Sequence, residues 1–149
     1  MKYFLYLILG LTILVSCDKD KLSPEEQFDK DIQLIENYLS KNNLTAEKTV
    51  HGIYYIIDVP GSDKKPIITN TIVLNYKGYF IDDVEFDAGT RATFPLYSLI
   101  QGWQIGIPKF GIGGKGKLLI PSKYGYGENS IKSRTNAVLI FDIELLDFN

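Results

Sequence analysis

The chain has 149 residues, which allows one domain with a modest extension, and its 45% apolar and 23% charged content is typical of a globular protein. A net charge of −2 with scattered basic residues argues against a nucleic-acid partner, because such a partner requires a basic surface. A single cysteine excludes an intrachain disulfide and a single histidine excludes the common zinc sets, so we expect no metal and no cofactor.

The N-terminal segment, residues 1–16, has the pattern of a secretory signal peptide. Lys2 precedes an apolar run over residues 3–15 that is too short to span a membrane. The sequence Leu14-Val15-Ser16-Cys17 resembles the bacterial lipoprotein signal, in which cleavage precedes the cysteine and the thiol receives lipid. We therefore expect lipidation of Cys17, palmitate included, and a membrane lipoprotein on the periplasmic or surface side of the bacterial cell envelope. An ordinary signal peptide with an incidental cysteine is the alternative.

Residues 17–48 are predicted to form a lipidated spacer and an amphipathic helix. The segment Ser23-Pro24-Glu25-Glu26 predicts the helix start, with serine as N-cap, proline at the first helical position and glutamate at the third. Asn42-Asn43 ends the pattern. Apolar residues spaced by three and four give one apolar face: Phe28, Ile32, Ile35, Tyr38 and Leu39. This face is expected to pack on the following domain, and a partner or dimer contact is the alternative.

From residue 49 the apolar pattern changes to a period of two, which indicates strands. Turn signals at Pro60-Gly61 and Asp82-Asp83 separate them, and residues 96–105 form a short helical segment. His51 is expected to be a half-exposed strand residue. The strands are predicted at residues 52–59, 71–80, 84–86, 115–121 and 137–146. The prediction is an α+β domain over residues 49–149, an antiparallel sheet with one short helix against it.

Short motifs occur in a fixed order along this domain. They are Val73-Leu74-Asn75-Tyr76-Lys77-Gly78, Phe86-Asp87, Ile100-Gln101-Gly102-Trp103, Gly113-Gly114-Lys115, Ile120-Pro121, Tyr124-Gly125-Tyr126-Gly127 and Leu139-Ile140-Phe141-Asp142-Ile143-Glu144-Leu145. None is diagnostic alone, but their order and spacing resemble the FKBP family of peptidyl-prolyl cis-trans isomerases. The resemblance implies an FKBP-like antiparallel β-sheet wrapped on a short α-helix, here preceded by an N-terminal helix, and rotamase activity.

The resemblance also implies a pocket for a proline ring. Trp103 would form its floor, and the backbone N–H of Ile100 would bond a substrate or inhibitor carbonyl. Asp87, as the carboxylate at the buried edge of the pocket, and Tyr126, as a hydroxyl donor, would be the catalytic residues. The implied substrate-binding residues are Tyr76, Phe86, Leu99, Ile100, Trp103 and Phe141. Taken singly, each aromatic is better explained as a core residue, and only the joint pattern favours a pocket; Tyr124 is expected to pack outside it.

The chemistry agrees with this residue set. A prolyl bond rotates over a barrier that amide resonance sets at about 18–20 kcal/mol. An apolar cavity lowers this barrier, because the twisted amide has lost part of the charge separation that water stabilises, and selective stabilisation of that state is sufficient. The motifs contain no nucleophile–base pair, and this reaction requires none.

Two segments depart from the family pattern. Ala92 stands where a larger apolar wall residue is common, and Phe94 is expected in the core. The loop over residues 128–136 is polar and lacks the proline-containing apolar passage that overhangs the substrate, with Ile131 as its candidate replacement.

Three functions follow from these observations. The first is an isomerase acting on proline-containing exported polypeptides, with a macrolide as candidate inhibitor. The second is a catalytically weak FKBP-fold binding or chaperone module of an envelope complex. The third is a periplasmic binder of peptides or hydrophobic small molecules.

Overall fold

The computed structural model describes residues 21–149; the predicted signal peptide and Cys17 lie outside them. No helix in this part of the chain combines the length and the apolar character needed to cross a bilayer. In chain order its helices and strands are α1 (Pro24–Lys41), β1 (Glu47–Lys48), β2 (Tyr54–Val59), β3 (Thr71–Phe80), β4 (Glu85–Pro95), α2 (Gln101–Gly106), β5 (Lys115–Ile120) and β6 (Leu139–Phe148).

Helix α1 begins and ends where its sequence predicts. The Ser23 hydroxyl accepts from the Glu26 N–H at 3.2 Å, and the Glu26 carboxylate accepts from the Ser23 N–H at 2.8 Å, which completes a capping box. At the other end, the Asn42 N–H donates to the Tyr38 carbonyl at 3.1 Å, and Asn43 turns into the left-handed region at φ 54°. These contacts satisfy backbone groups that a helix end leaves unpaired.

The strands form one antiparallel sheet in the order β1-β2-β5-β6-β3-β4. Successive side chains of a strand point to opposite faces, and β5 shows this clearly. Leu118 and Ile120 enter the main core beside α2, whereas Leu119 enters a second core beneath α1. The predicted fold class, a sheet on a short helix with a preceding N-terminal helix, is therefore confirmed.

Helix α1 covers the face of the sheet opposite α2. Its residues Ile35 and Leu39 are buried against Leu119 and Ile140. The apolar stripe is thus occupied within the chain, as its packing prediction required, and is not left as a free surface.

Strand β4 is longer than its sequence indicates. The prediction ended at Phe86, but pairing with β3 continues to Pro95. Ala88 and Gly89 have weak strand propensity, and the pairing of the two chains overrides it.

The segment before α2 is broken rather than continuous. A 3₁₀ turn covers Leu96–Ser98, and Leu99 and Ile100 are extended, with ψ of 172° and 147°. The predicted helical segment over residues 96–105 is therefore wrong as one continuous element. The break at Leu99 and Ile100 places backbone groups of these two residues at the candidate site.

His51 is also placed differently from its prediction. It lies exposed in a turn in which the Gly52 N–H donates to the Thr49 carbonyl at 3.0 Å, and β2 begins only at Tyr54. Its ring lies 5.9 Å from that of Tyr124. Gly52 permits the turn because its φ is 79°.

Candidate active site

A cavity of about 260 Å³ lies where the start of α2 meets β3, β4 and β6. Its lining is mostly aromatic and aliphatic, with one carboxylate: Tyr76, Asp87, Phe94, Leu99, Ile100, Trp103, Tyr126 and Phe141. The structure thus brings together every sequence-predicted pocket residue except Phe86, and it adds Phe94.

Two buried aromatic side chains give the cavity its fixed shape. Trp103 and Phe141 are 4% and 3% exposed, and their rings meet edge to face with centroids 5.0 Å apart. The Tyr76 ring packs on Trp103 in the same manner at 5.2 Å. Such pairs contribute about 0.5–1.5 kcal/mol beyond their buried area. The indole Nε1 of Trp103 is buried and finds no acceptor within residues 21–149.

Glycine spacing allows α2 to place Trp103 close to the sheet. A Cβ at Gly102 would lie 2.4 Å from the Ile120 side chain, and one at Gly106 would lie 2.7 Å from Leu118. Because neither position carries a side chain, the helix rests directly on β5. Trp103, one residue beyond Gly102, is thereby held at the sheet surface.

Tyr76 and Asp87 form the polar edge of the cavity. The Tyr76 hydroxyl donates to Asp87 Oδ2 at 2.8 Å, and Asp87 Oδ1 accepts from the Ala88 N–H at 2.9 Å. Burial, together with the hydrogen bond to Asp87, raises the pKa of Tyr76 to about 12. Asp87 itself is exposed, so its predicted position at a buried edge is wrong. It stands at the rim, where β4 is an edge strand of the sheet.

Tyr126 contributes a hydroxyl with no partner among the described residues. Tyr126 is 38% exposed and lines the cavity. Burial and then the nearby charge of Asp87 raise the pKa of Tyr126 above its ordinary value. The hydroxyl therefore stays protonated at neutral pH and can donate to a bound carbonyl.

The break before α2 presents backbone to the same cavity. The Ile100 carbonyl accepts from the Trp103 N–H at 2.9 Å, which starts the helix. The Gln104 amide donates to the Leu99 carbonyl at 2.7 Å and to the Tyr97 carbonyl at 3.1 Å, which fixes the extended segment. The Ile100 N–H makes no hydrogen bond within the described part of the chain, so it is a second available donor.

Phe86 and Phe94 exchange the places that the sequence predicts for them. Phe86 lies behind the lining, with its ring 5.5 Å from Phe141 and 4.9 Å from Phe80, so it supports the wall instead of forming it. Phe94, expected in the core, lines the cavity with its ring 6.3 Å from that of Tyr76. A period of two places Phe86 and Phe94 on one face of a regular strand, so this pattern could not tell which of them lines the cavity.

The loop before β6 folds away from the cavity. Arg134 Nη1 donates to Asp82 Oδ1 at 2.9 Å, and its guanidinium lies 4.2 Å from the centre of the Phe80 ring. The hydrogen bond from Arg134 holds the pKa of Asp82 below its ordinary value. Ile131 packs against the main core and does not line the cavity, so its candidate role as an overhanging group is not seen.

A second hollow of about 450 Å³ lies between α1 and the turn after β5. Charged side chains such as Lys21 and Glu128 form part of its lining, alongside Phe28. Its described lining has one aromatic ring, Phe28, and not the convergent rings of the smaller cavity, so we place the candidate site in the smaller one.

An antiparallel sheet wrapped on a short helix, with an aromatic cavity at the helix start, is the arrangement that the resemblance to the FKBP family implies. The family model described as "FKBP-type peptidyl-prolyl cis-trans isomerase" matches residues 62–146 of this chain, and the chain belongs to that family. The predicted family is therefore confirmed.

Similar proteins come from several bacteria. The FKBP-type peptidyl-prolyl cis-trans isomerase FkpA of Aeromonas hydrophila is 38% identical over 118 residues, which are 74% of this chain and 44% of that protein. FkpA of Escherichia coli strain K12 is 39% identical over 101 residues, which are 64% of this chain and 37% of that protein. The chain thus spans less than half the length of these curated relatives.

Solved structures share the fold. The crystal structure of FkpA from Escherichia coli superposes with a TM-score of 0.71 at 29% identity, covering 87% of this chain and 74% of that one. A peptidyl-prolyl cis-trans isomerase from Pseudomonas syringae pv. tomato superposes with a TM-score of 0.74 at 25% identity, covering 87% of this chain and 98% of that one.

Proposed function

We propose that this protein accelerates the rotation of X–Pro bonds in exported proteins while a lipid on Cys17 anchors it to the bacterial cell envelope. The observation that carries the isomerase proposal is the cavity, in which rigid aromatic walls meet two unused donors, the Tyr126 hydroxyl and the Ile100 N–H. Membership of the FKBP family supports it.

The cavity suits the physical requirement of this reaction. A proline ring fits against Trp103 and Phe141, and burial there removes the water that stabilises the planar, charge-separated amide. The donors bind the carbonyls of the peptide and hold its two ends while the bond turns. The carboxylate of Asp87 acts on the rotating carbonyl by electrostatics, from the rim of the cavity. No bond is made or broken, so positioning and selective stabilisation of the twisted amide suffice.

A protease-coupled assay with prolyl tetrapeptides tests the isomerase proposal. Uncatalysed isomerisation takes about 10–100 s at 25 °C, so catalysis is readily measured above background. We expect a rate that rises linearly with the concentration of protein beginning at Asp18. No rate above background at micromolar protein would overturn the proposal.

A macrolide should compete with the substrate, because both would occupy the same aromatic cavity. We expect an FKBP-directed macrolide to slow the isomerase rate in proportion to its occupancy of the site. A macrolide that binds the protein without slowing the reaction would place its site elsewhere.

The lipid anchor rests on the sequence around Cys17. Several acyl chains give durable membrane binding, whereas one chain alone is marginal. We expect labelled palmitate to enter the protein in growing cells and the protein to sediment with membranes. Cys17→Ser should abolish both, and a Cys17→Ser protein that kept its label would contradict the anchor.

A second function is a catalytically weak binding or chaperone module. The observation that favours it is the 128–136 loop: Arg134 is bonded to Asp82, and the described cavity lining contains no residue of this loop. This function predicts that the protein slows aggregation of an unfolded client without proline as well as one with proline. In that case the unmodified protein would show no tetrapeptide isomerisation above background, and Trp103→Ala would abolish its protection of the client.

A further inference from the structure

Asp31 is a buried charged residue on α1, remote from the cavity lining. It is 0% exposed, and its carboxylate accepts three hydrogen bonds. Oδ2 accepts from the Ser122 N–H at 2.7 Å and from the Ser122 hydroxyl at 2.5 Å, while Oδ1 accepts from the Gln27 amide at 2.7 Å. A buried carboxylate is costly unless its oxygens are paired, so these contacts fix Ser122 against α1.

Ser122 in turn holds the backbone on both sides of Tyr126. Its carbonyl accepts from the Gly125 N–H at 3.0 Å and from the Gly127 N–H at 2.9 Å. One residue is therefore bonded to α1 through its N–H and hydroxyl, and to the Tyr126 segment through its carbonyl. Ser122 therefore connects Asp31 by hydrogen bonds to the residues on either side of Tyr126.

The other backbone bonds of this segment lie largely within it: the Asn129 N–H donates to the Tyr126 carbonyl at 3.0 Å, and the Asn136 N–H donates to the Gly127 carbonyl at 2.7 Å. Residues 125–138 lie between β5 and β6 and belong to neither strand, so no sheet ladder places them. Phe28 of α1 packs edge-on against Tyr124 at 6.3 Å, which adds an apolar contact on the same side. Among the described residues, Ser122 is bonded to both neighbours of Tyr126, and Ser122 is bonded in turn to α1.

We propose that Asp31 is a positioning residue, which acts through Ser122 to hold the Tyr126 hydroxyl where it meets a bound prolyl substrate. Helix α1 precedes the residues 62–146 that the family model matches, so this element adds to the matched domain from outside it. The effect on catalysis rests on the proposed function. The effect on the backbone around Tyr126 does not.

Variants at two acidic positions of α1 test the proposal in the full chain. Asp31→Ala removes all three acceptor contacts, and we expect kcat/KM for a prolyl tetrapeptide to fall about tenfold, as small misplacements of reacting groups do. Asp29→Ala is the matched control, because Asp29 is an exposed carboxylate on the same helix. Asp31→Asn should stay close to the unmodified rate, since its amide oxygen can still accept from Ser122 while its NH₂ faces a turned Gln27 amide.

A double-mutant cycle separates positioning from general loss of structure. If Asp31 acts through Tyr126, Asp31→Ala should cause no further loss of kcat/KM in a Tyr126→Phe background. Residues that do not communicate give additive effects. An equal fold-loss in both backgrounds, or full activity of Asp31→Ala, would overturn the proposal.

Amide hydrogen exchange provides a readout that does not depend on activity. We expect the Gly125 and Gly127 amides to exchange faster in Asp31→Ala than in Asp29→Ala or the unmodified protein. Unchanged exchange would overturn the proposal, even if the unmodified protein proved inactive and the proposed function failed. If Asp31→Ala does not fold, Ser122→Ala replaces it, with the same expected direction in both readouts.

Discussion

The Tyr76 hydroxyl donates a 2.8 Å hydrogen bond to Asp87 across the β3–β4 hairpin, and this bond orients the one carboxylate that residues 21–149 contribute to the cavity lining. Asp87 is exposed at the rim, so its charge is partly screened by water. Its influence on a rotating carbonyl therefore depends on distance and orientation, which the Tyr76 hydroxyl controls.

Removal of the carboxylate should slow catalysis more than removal of the hydroxyl that orients it. We expect Asp87→Ala to lower kcat/KM about tenfold, because a fixed charge beside the reacting group is lost, and Tyr76→Phe to lower it less. The protease-coupled tetrapeptide assay measures both. Glu85→Ala, an exposed acid of the same strand, is the control, and full activity of Asp87→Ala would remove Asp87 from the mechanism.

The cavity tyrosines should not make the isomerase rate depend on pH between about pH 6 and about pH 9. Tyr76 has a pKa raised to about 12 and Tyr126 a pKa raised above its ordinary value, so both hydroxyls keep their protons. Because the folded pKa of each tyrosine exceeds its unfolded value, its contribution to stability is complete below about pH 10. For Tyr76 this contribution is lost as pH rises toward about 12. A decline of kcat/KM between about pH 7 and pH 9 that disappears in Tyr126→Phe would contradict this.

Trp103 should report ligand binding directly by fluorescence. It is the only tryptophan in the chain and lines the cavity, so no other indole contributes to the emission. We expect a prolyl peptide or an FKBP-directed macrolide to change its intensity with saturation. The same titration of a Phe141→Ala variant should show weaker binding, whereas a Tyr97→Ala variant, altered outside the cavity lining, should bind normally.

The close approach of α2 to β5 should not tolerate a methyl group. Gly102→Ala gains up to about 1 kcal/mol in helix propensity, but its Cβ would meet the Ile120 side chain at 2.4 Å. Overpacking of this kind costs about 1–3 kcal/mol, so we expect a net loss in the free energy of unfolding measured with urea. Gln101→Ala, at an exposed position of the same helix, should change little. A stabilised Gly102→Ala protein would show that the helix can shift without cost.

The capping box of α1 should make the protein's free energy of unfolding depend on pH in the acid range. The bond from the Ser23 backbone, followed by that from its side chain, lowers the pKa of Glu26 below its ordinary value. A carboxyl group whose pKa is lower in the folded than in the unfolded state stabilises the protein at pH values above its unfolded pKa. This contribution disappears as the pH falls through the folded pKa. We expect the difference in urea midpoint between the unmodified protein and Glu26→Gln to be present at neutral pH and to shrink as pH falls below the unfolded pKa of 4.5. Glu25→Gln, which lacks these bonds, is the control.

Several elements were predictable because their causes are local. The α1 boundaries follow from the cap at Ser23 and the stop at Asn42-Asn43, and the Asp82-Asp83 turn follows from Asp83, which adopts φ 64°. The ordered motifs indicated the FKBP family, and the cavity lining contains all but one of the predicted pocket residues.

The errors arise where distant contacts decide the outcome. Strand β4 extends to Pro95 because β3 pairs with it, although Ala88 and Gly89 favour no strand. Phe86 and Phe94 are similar residues on one strand, and only the packing of the Phe141 and Tyr76 rings determines which of them lines the cavity.

The sequence by itself determined the family, the helix ends and the residue types of the pocket, because caps, turns and motif spacing act over a few residues. Only the tertiary structure decided that Asp31 meets Ser122, 91 positions further along the chain, and that the 128–136 loop docks on Asp82. Contacts of that separation depend on how the two faces of the sheet are covered, and no local pattern encodes them.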